Sequence, residues 1–227
     1  MWAVIKKEFK SYFLSPIGYV TIAILLFTSS VFFWLTSIQQ GTVNLGSLYY
    51  YIALYGLIIA VPMLTMRMFA EERRNGTEQL ILTSPISITK VVFGKLIAAL
   101  GVIAIMLIIS LGYFVIVLFF AKTSIVPVLT SMLGFLLVSL AALSIGMFAS
   151  SLTENQVIAA LITIGYLIIS LFLENINSSL AKLSIMEFYQ KFPSGVISFS
   201  EVAGLLSFSI LFIGLTIIVM QRRKSVK

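Results

Sequence analysis

Cysteine, histidine and aspartate are all missing from this sequence. Without thiols there is no disulfide framework and no thiolate metal site, and with glutamate as the one acidic residue the usual ligands and catalytic bases are largely gone. No metal or catalytic residue is assigned. The lack of cysteine does not fix a redox compartment. Charge is scarce too: 10% of the 227 residues are charged against 60% hydrophobic, and the mean hydropathy is +1.11. Such a chain has too little polar surface to cover a soluble globule, which makes it an integral membrane protein. The start, Met1 to Ser15, carries Lys6, Lys7, Glu8 and Lys10 and lacks a small-residue cleavage site. It is therefore expected to stay in the mature protein. The net charge of +7 invites a nucleic-acid reading, but the basic residues sit beside apolar runs, which favours a membrane surface over nucleic acid.

What is present is a series of apolar runs about 20 residues long, enough for helices to span a bilayer, without the strict alternation that membrane strands need. Spans are predicted at Ile17 to Ile38, Leu48 to Met68, Val91 to Phe120, Val126 to Ser150, Gln156 to Leu173 and Val202 to Met220. The fold class is an all-α membrane protein, one transmembrane domain over 1–227 with no linker. The third run exceeds a span, and its first turns are expected outside the bilayer behind Ser84 as N-cap and Pro85 at the first helical position. An even number of spans puts both termini on one side. Lys6, Lys7, Lys10, Arg67, Arg73, Arg74, Lys90, Lys95, Arg222, Arg223, Lys224 and Lys227 fall on that side, against Lys122, Lys182 and Lys191 opposite. The positive-inside rule then makes both termini cytoplasmic.

Ahead of the first span, Trp2, Ile5, Phe9, Tyr12 and Phe13 share one helical face and Lys6, Lys7 and Lys10 lie mostly opposite. This is the pattern of a helix lying in the membrane interface, turned into the bilayer at Ser15, Pro16 and Gly18. A plain extension of the first span is the alternative, disfavoured by Pro16. Between the second and third spans, Glu71, Glu72, Arg73 and Arg74 lead to the reversal Asn75-Gly76. Thr77 is placed to cap a short helix, Glu78 sits in its first turn, and Leu80, Ile81 and Leu82 follow. Apolar side chains there need a cover, either a groove on another protein or the membrane surface.

The segment from Glu174 to Ser200 is too long for a tight turn and holds Ile176, Leu180, Leu183, Ile185, Met186, Phe188, Tyr189 and Phe192, broken by Pro193, Ser194 and Gly195. Much of it should be buried, and one helix lying on the outer surface is one arrangement of it. Small residues Ser139, Ala142, Gly146 and Ala149 or Ser150 recur along the fourth span and suit close helix packing.

Other motifs are uninformative or absent. There is no G-x-x-x-x-G-K-[ST] loop, and Gly94-Lys95-Leu96 does not replace one. The S-x-x-K matches at Ser87 and Ser179 lack the companion motifs of penicillin-binding enzymes, and Asn75-Gly-Thr and Asn177-Ser-Ser are only formal glycosylation acceptors. Buried carboxylates for an ion relay are nearly absent, although Pro62 could break the second span.

The run Phe69-Ala-Glu-Glu-Arg-Arg-Asn-Gly-Thr-Glu-Gln-Leu-Ile-Leu-Thr-Ser-Pro-Ile-Ser with Gly94-Lys95 resembles the type-2 ABC exporter permeases. Tyr12-Phe-Leu-Ser-Pro-Ile-Gly-Tyr19 and Phe188-Tyr-Gln-Lys-Phe-Pro-Ser-Gly-Val-Ile197 extend the likeness over nearly the whole chain. Within the family it looks most like short permeases related to the gliding-motility and nitrous-oxide-reductase maturation transporters. The resemblance implies a coupling helix at about Thr77 to Thr83, with Glu71, Glu72, Arg73, Arg74, Gly76, Thr77, Glu78, Leu80 and Ile81 at an ATPase interface. It implies an elbow helix carrying Trp2, Ile5, Phe9 and Phe13, and an outer gate of Phe188, Tyr189, Phe192, Pro193 and Gly195 in two short helices dipping into the outer leaflet. The partners implied are separate ATP-binding cassette subunits, which hold the ATP and Mg, a second permease copy or a related permease meeting at the first and fifth spans, and membrane lipids. There is no cofactor in this chain. The function expected is outward transport across a prokaryotic plasma membrane, with an apolar route suited to a lipid, an amphiphile or a hydrophobic peptide. An ion-driven secondary transporter or channel without an ATPase is the alternative.

Overall fold

The computed structural model describes residues 1–39, 45–120, 124–176 and 181–225. Helix α1 (Trp2–Leu14) ends where Ser15 takes an extended conformation, φ −96° and ψ 158°. That is the geometry a following proline imposes, and Pro16 then opens α2 (Pro16–Phe33), which runs on as a π-helical turn over Trp34–Ile38. At Gly18 a Cβ would stand 2.7 Å from the carbonyl oxygen of Tyr12. The corner between α1 and α2 is thus tight enough to exclude any side chain there.

The second apolar run forms α3 (Leu45–Tyr51), a π-helical turn (Ile52–Gly56) and α4 (Leu57–Thr65). The irregularity allowed for at Pro62 falls earlier in the run. Pro62 stays inside α4, and the π-helical turn lies further toward the N-terminus, ending at Gly56 before α4 begins. Two short helices follow, α5 (Ala70–Arg74) and α6 (Glu78–Thr83), and then α7 (Ile88–Phe120), α8 (Ile125–Leu152), α9 (Gln156–Ile176) and α10 (Phe199–Ser225). No strand occurs among the described residues.

Six helical stretches are long and apolar enough to cross a membrane: Pro16–Ile38, Leu45–Arg74, Ile88–Phe119, Ile125–Leu152, Gln156–Leu173 and Phe199–Ser225. They match the expected spans to within a few residues, except that the second continues as a broken helix through α5. Burial ranks them. The apolar windows of α8 and of the second span are 67% and 61% buried, against 22% for the first, fifth and sixth. The bundle is therefore built around α8 and α4, with α2, α9 and α10 presenting broad apolar faces outward. Close approach at the centre relies on small residues: a Cβ on Gly146 would stand 2.3 Å from the Thr65 hydroxyl. In lipid such contacts hold helices together where no hydrophobic drive exists between them.

The expectation for the start of the third span is corrected. Ser84, Pro85 and Ile86 form bends, and α7 starts at Ile88, with the amides of Lys90 and Val91 bonded to the Ser87 carbonyl at 3.0 and 3.3 Å. Ser87 supplies the turn because Ser87-Ile88-Thr89 is the later of the two polar-then-apolar junctions. With 33 residues at about 1.5 Å each, α7 reaches about 50 Å against about 30 Å of hydrocarbon. Its overhang is covered by α1: Val4 lies 2.8 Å from a Cβ position at Gly94, and Phe9 lies 2.9 Å from one at Gly101. The two helices run side by side in the same sense.

Between α9 and α10 the described part of the chain makes two single 3-10 turns, Glu187–Tyr189 and Phe192–Ser194. Ile185, Met186, Tyr189 and Phe192 are buried, as expected, whereas Leu183 is exposed. Leu180 lies outside the described residues, as does the side chain of Ile176.

Candidate functional site

The basic residues expected on one side, apart from Lys227, which lies outside the described residues, fall at one end of the bundle, where α1, α5, α6, the start of α7, the α8–α9 connection and the end of α10 meet. At that end α5 begins with amides that have no intrahelical partner. Phe69 occupies the N-cap position without a side-chain acceptor, and the Ser150 hydroxyl of α8 accepts from the Phe69 and Ala70 amides at 3.1 Å each. Ser150 thus does more than the packing expected of a small residue.

Charge fixes the rest. Arg67 donates to Glu71 one turn on, with Nη2 at 2.7 Å from Oε1. Lys95, 2% exposed, is held by Glu72 at 2.7 Å and by Glu8 of α1 at 3.2 Å, and its ammonium stands 5.4 Å from the centre of the Phe69 ring. One buried cation therefore joins α1, α5 and α7, and two carboxylates meet its desolvation. Arg73 reaches Glu154 at 2.8 Å, tying α5 to the α8–α9 connection.

The reversal at Asn75-Gly76 forms as expected. The Asn75 amide bonds the Glu71 carbonyl at 2.9 Å, the Gly76 amide bonds that of Arg73 at 3.1 Å, and Gly76 has φ 72°. This is a helix C-terminus closed by a left-handed residue, where glycine carries no steric penalty. Thr77 is not the cap that the sequence suggested. Its hydroxyl donates to the Glu72 carbonyl at 3.2 Å, because the reversal folds it back over α5. Glu78 in the first turn of α6 is buried and accepts from Arg223 of α10 at 3.0 Å. The same guanidinium donates to the Ser151 carbonyl.

Of the residues expected to meet a partner, Glu71, Glu72, Arg73 and Glu78 are thus engaged within the chain. Arg74 is exposed, Leu80 is 71% exposed, and the side chain of Ile81 lies outside the described residues. Beneath α6 lies a cavity of about 390 Å3, lined by α1, the α4–α6 segment and Lys95. In its wall the Tyr12 hydroxyl donates to the Leu64 carbonyl at 3.0 Å, one of the carbonyls left over at the end of α4. Burial, and then the nearby Glu8 carboxylate, push the Tyr12 phenol well above its ordinary range.

On α1, Ile5, Phe9 and Phe13 are half-buried against protein while Trp2 is 76% exposed. The apolar face expected to meet lipid is thus largely covered by α7 and α2, since the α7 overhang offers it a nearer apolar surface.

At the opposite end, the expected gate residues are brought together. Tyr189 donates to the Ser131 carbonyl at 3.1 Å and stacks with Phe192 and Tyr50 at 5.9 and 6.1 Å. The Thr130 hydroxyl donates to the Phe192 carbonyl at 3.0 Å. Cβ atoms on Gly134, Gly204 and Gly46 would fall 2.4 Å from Phe192, 2.4 Å from Phe188 and 2.1 Å from the Pro193 carbonyl oxygen. Gly195, at φ 84°, closes the second 3-10 turn. Lys191 pairs with the buried Glu201 at 2.7 Å.

Sequence reading did not foresee the partners of Glu8, Ser150, Glu154 and Arg223. The available signals were a lone lysine inside an apolar run at Lys95, which needs a buried carboxylate, and an arginine one turn past a span. No group of three or more His, Cys, Asp or Glu side chains that could hold a metal ion occurs among the described residues.

No curated protein matches the chain significantly. The sequence profile of the ABC-2 family transporter proteins matches residues 2–210, which takes in α1, the charged segment and the outer turns alike. With six apolar spans and that match over nearly its whole length, this chain belongs to the ABC-2 transporter family, whose members are membrane permeases that pair with ATP-binding cassette subunits.

Proposed function

We propose that the chain is the permease subunit of an ATP-driven exporter, worked from outside by two cassette subunits that bind ATP and Mg. One observation carries this reading: α6 shows Leu80 to its surroundings while the α5–α6 segment is fastened to α8 through Ser150, to α7 and α1 through Lys95, and to α10 through Arg223. A load applied at Leu80 therefore reaches most of the bundle. Glu72 and Glu78 hold the lever in place, and Arg74 and Leu80 meet the ATPase. Both termini and α6 are cytoplasmic in this reading. The permease acts as a pair, of identical or related chains, and the packed turns around Tyr189 and Phe192 close the exit. The apolar span walls suit a lipid, an amphiphile or a hydrophobic peptide.

The test is to co-express the tagged chain with its candidate cassette ATPase and compare wild type with Leu80→Asp. The wild type retains the ATPase on purification and supports ATP-dependent transport in proteoliposomes, and Leu80→Asp lowers both by at least about tenfold, as loss of a central apolar anchor does. Full retention and transport with Leu80→Asp removes the coupling role from α6.

A further inference from the structure

The outward side of α1 carries a feature that coupling does not use. Lys7, Lys10, Ser11 and Leu14 follow one another at helical spacing and, with Ser15, line an open groove of about 400 Å3. Residues three and four apart share a helix face, so two ammonium groups and a hydroxyl point into the same space.

These cations are available. Glu8 is held 3.2 Å from the buried Lys95, and Lys7 meets it at only 3.5 Å while staying 70% exposed. Among the described residues Lys10 pairs with no carboxylate. Of the other acids nearby, Glu71 is taken up by Arg67 and Glu72 by Lys95. The face thus keeps a positive balance, with Lys10 unmatched by a carboxylate among the described residues and Lys7 met by a Glu8 that the buried Lys95 also holds.

Its rim is apolar. Leu14, one turn beyond Lys10, is 77% exposed, and exposed apolar surface continues at Tyr19 and Val20 on the first turns of α2. Since α2 begins the first span at Pro16, the groove opens at the edge of the hydrocarbon layer. A soluble anion has no use for Leu14, whereas a phospholipid places its phosphate on the lysines and its acyl chains along Leu14 and Tyr19.

We propose that Lys7, Lys10 and Ser11 form a headgroup site for an anionic phospholipid, which fixes α1 at the membrane surface. The site does not depend on the coupling role of α6. Each lysine facing an anionic headgroup near a membrane surface strengthens binding by roughly fivefold, and the two together by roughly thirtyfold.

The purified full-length chain in maltoside micelles is titrated with dioleoylphosphatidylglycerol, dioleoylphosphatidylcholine or inorganic phosphate. Bound lipid is counted by native mass spectrometry, and the thermal midpoint is read in parallel. Phosphatidylglycerol binds and raises the midpoint, while phosphatidylcholine and phosphate do neither. Lys7→Gln/Lys10→Gln weakens phosphatidylglycerol by about thirtyfold and Lys10→Gln alone by about fivefold, whereas Lys7→Arg/Lys10→Arg and Arg222→Gln/Lys224→Gln retain it. If the double glutamine variant does not fold, the single variant decides. Equal binding of phosphatidylcholine, displacement by phosphate, full retention in the glutamine variants, or equal loss in Arg222→Gln/Lys224→Gln overturns the proposal.

Discussion

Arg223 and Glu78 are 145 positions apart in sequence and 3.0 Å apart in space. The pair joins the last turns of α10 to the first turn of α6, and both side chains are largely buried. Reversing one charge, as Arg223→Glu or Glu78→Arg, should lower stability by about 1–3 kcal/mol, between the values for exposed and fully buried pairs. The exchange Arg223→Glu/Glu78→Arg should recover part of the loss but not all, because Arg223 also serves the Ser151 carbonyl. Thermal unfolding of the four proteins in one detergent closes the double-mutant cycle, and a coupling energy near zero removes the pair from the account.

Tyr12→Phe should cost about 1 kcal/mol, the value of one buried hydrogen bond whose acceptor is left alone. It should also change the response to alkali. A phenol raised in the folded protein keeps its proton longer than in the unfolded chain, so its stabilisation is complete below the ordinary value of 10.0 and declines as pH rises beyond it. Wild type should lose stability more steeply above that pH than Tyr12→Phe, and parallel pH profiles would refute the assignment.

Glycines in the spans should divide by neighbourhood. Gly134→Ala drives a methyl group into the Phe192 ring, 2.4 Å from the new Cβ, and should cost about 1–3 kcal/mol as overpacking does. Gly165→Ala and Gly214→Ala meet nothing within 4 Å and should be neutral or stabilising by about 0.5–1 kcal/mol through the helix propensity of alanine. Thermal midpoints of the three variants give the comparison.

The native absence of cysteine makes topology directly measurable. Gln79→Cys and Val196→Cys place one thiol at each exposed end of the bundle. An impermeant maleimide should label Val196→Cys in intact cells and Gln79→Cys only after the membrane is opened. The reverse pattern would place α6 outside the cell and end the coupling proposal.

The spans were legible because apolar length is a local property of sequence, and so were the corner at Ser15-Pro16 and the reversal at Asn75-Gly76, where one dihedral preference decides. Glu72 and Glu78 were read as docking charges because a sequence does not show that Lys95 and Arg223 lie within reach. Thr77 and Ser84 carry good capping chemistry for the helices that follow them, but capping depends on which way the chain folds back, and the acceptor at the start of α5 comes from Ser150 on a distant helix. The apolar face of α1 was visible as a face, while its cover, the overhang of α7, was a matter of tertiary arrangement.

Because the Pro193 carbonyl sits where a side chain on Gly46 would be and the Phe192 ring fills the space at Gly134, the outer turns cannot slide along the helices that flank them. They behave as a keystone wedged between α3 and α8. Parting those two helices would therefore have to release the turns as well, breaking the hydrogen bond by which the Thr130 hydroxyl holds the Phe192 carbonyl at 3.0 Å.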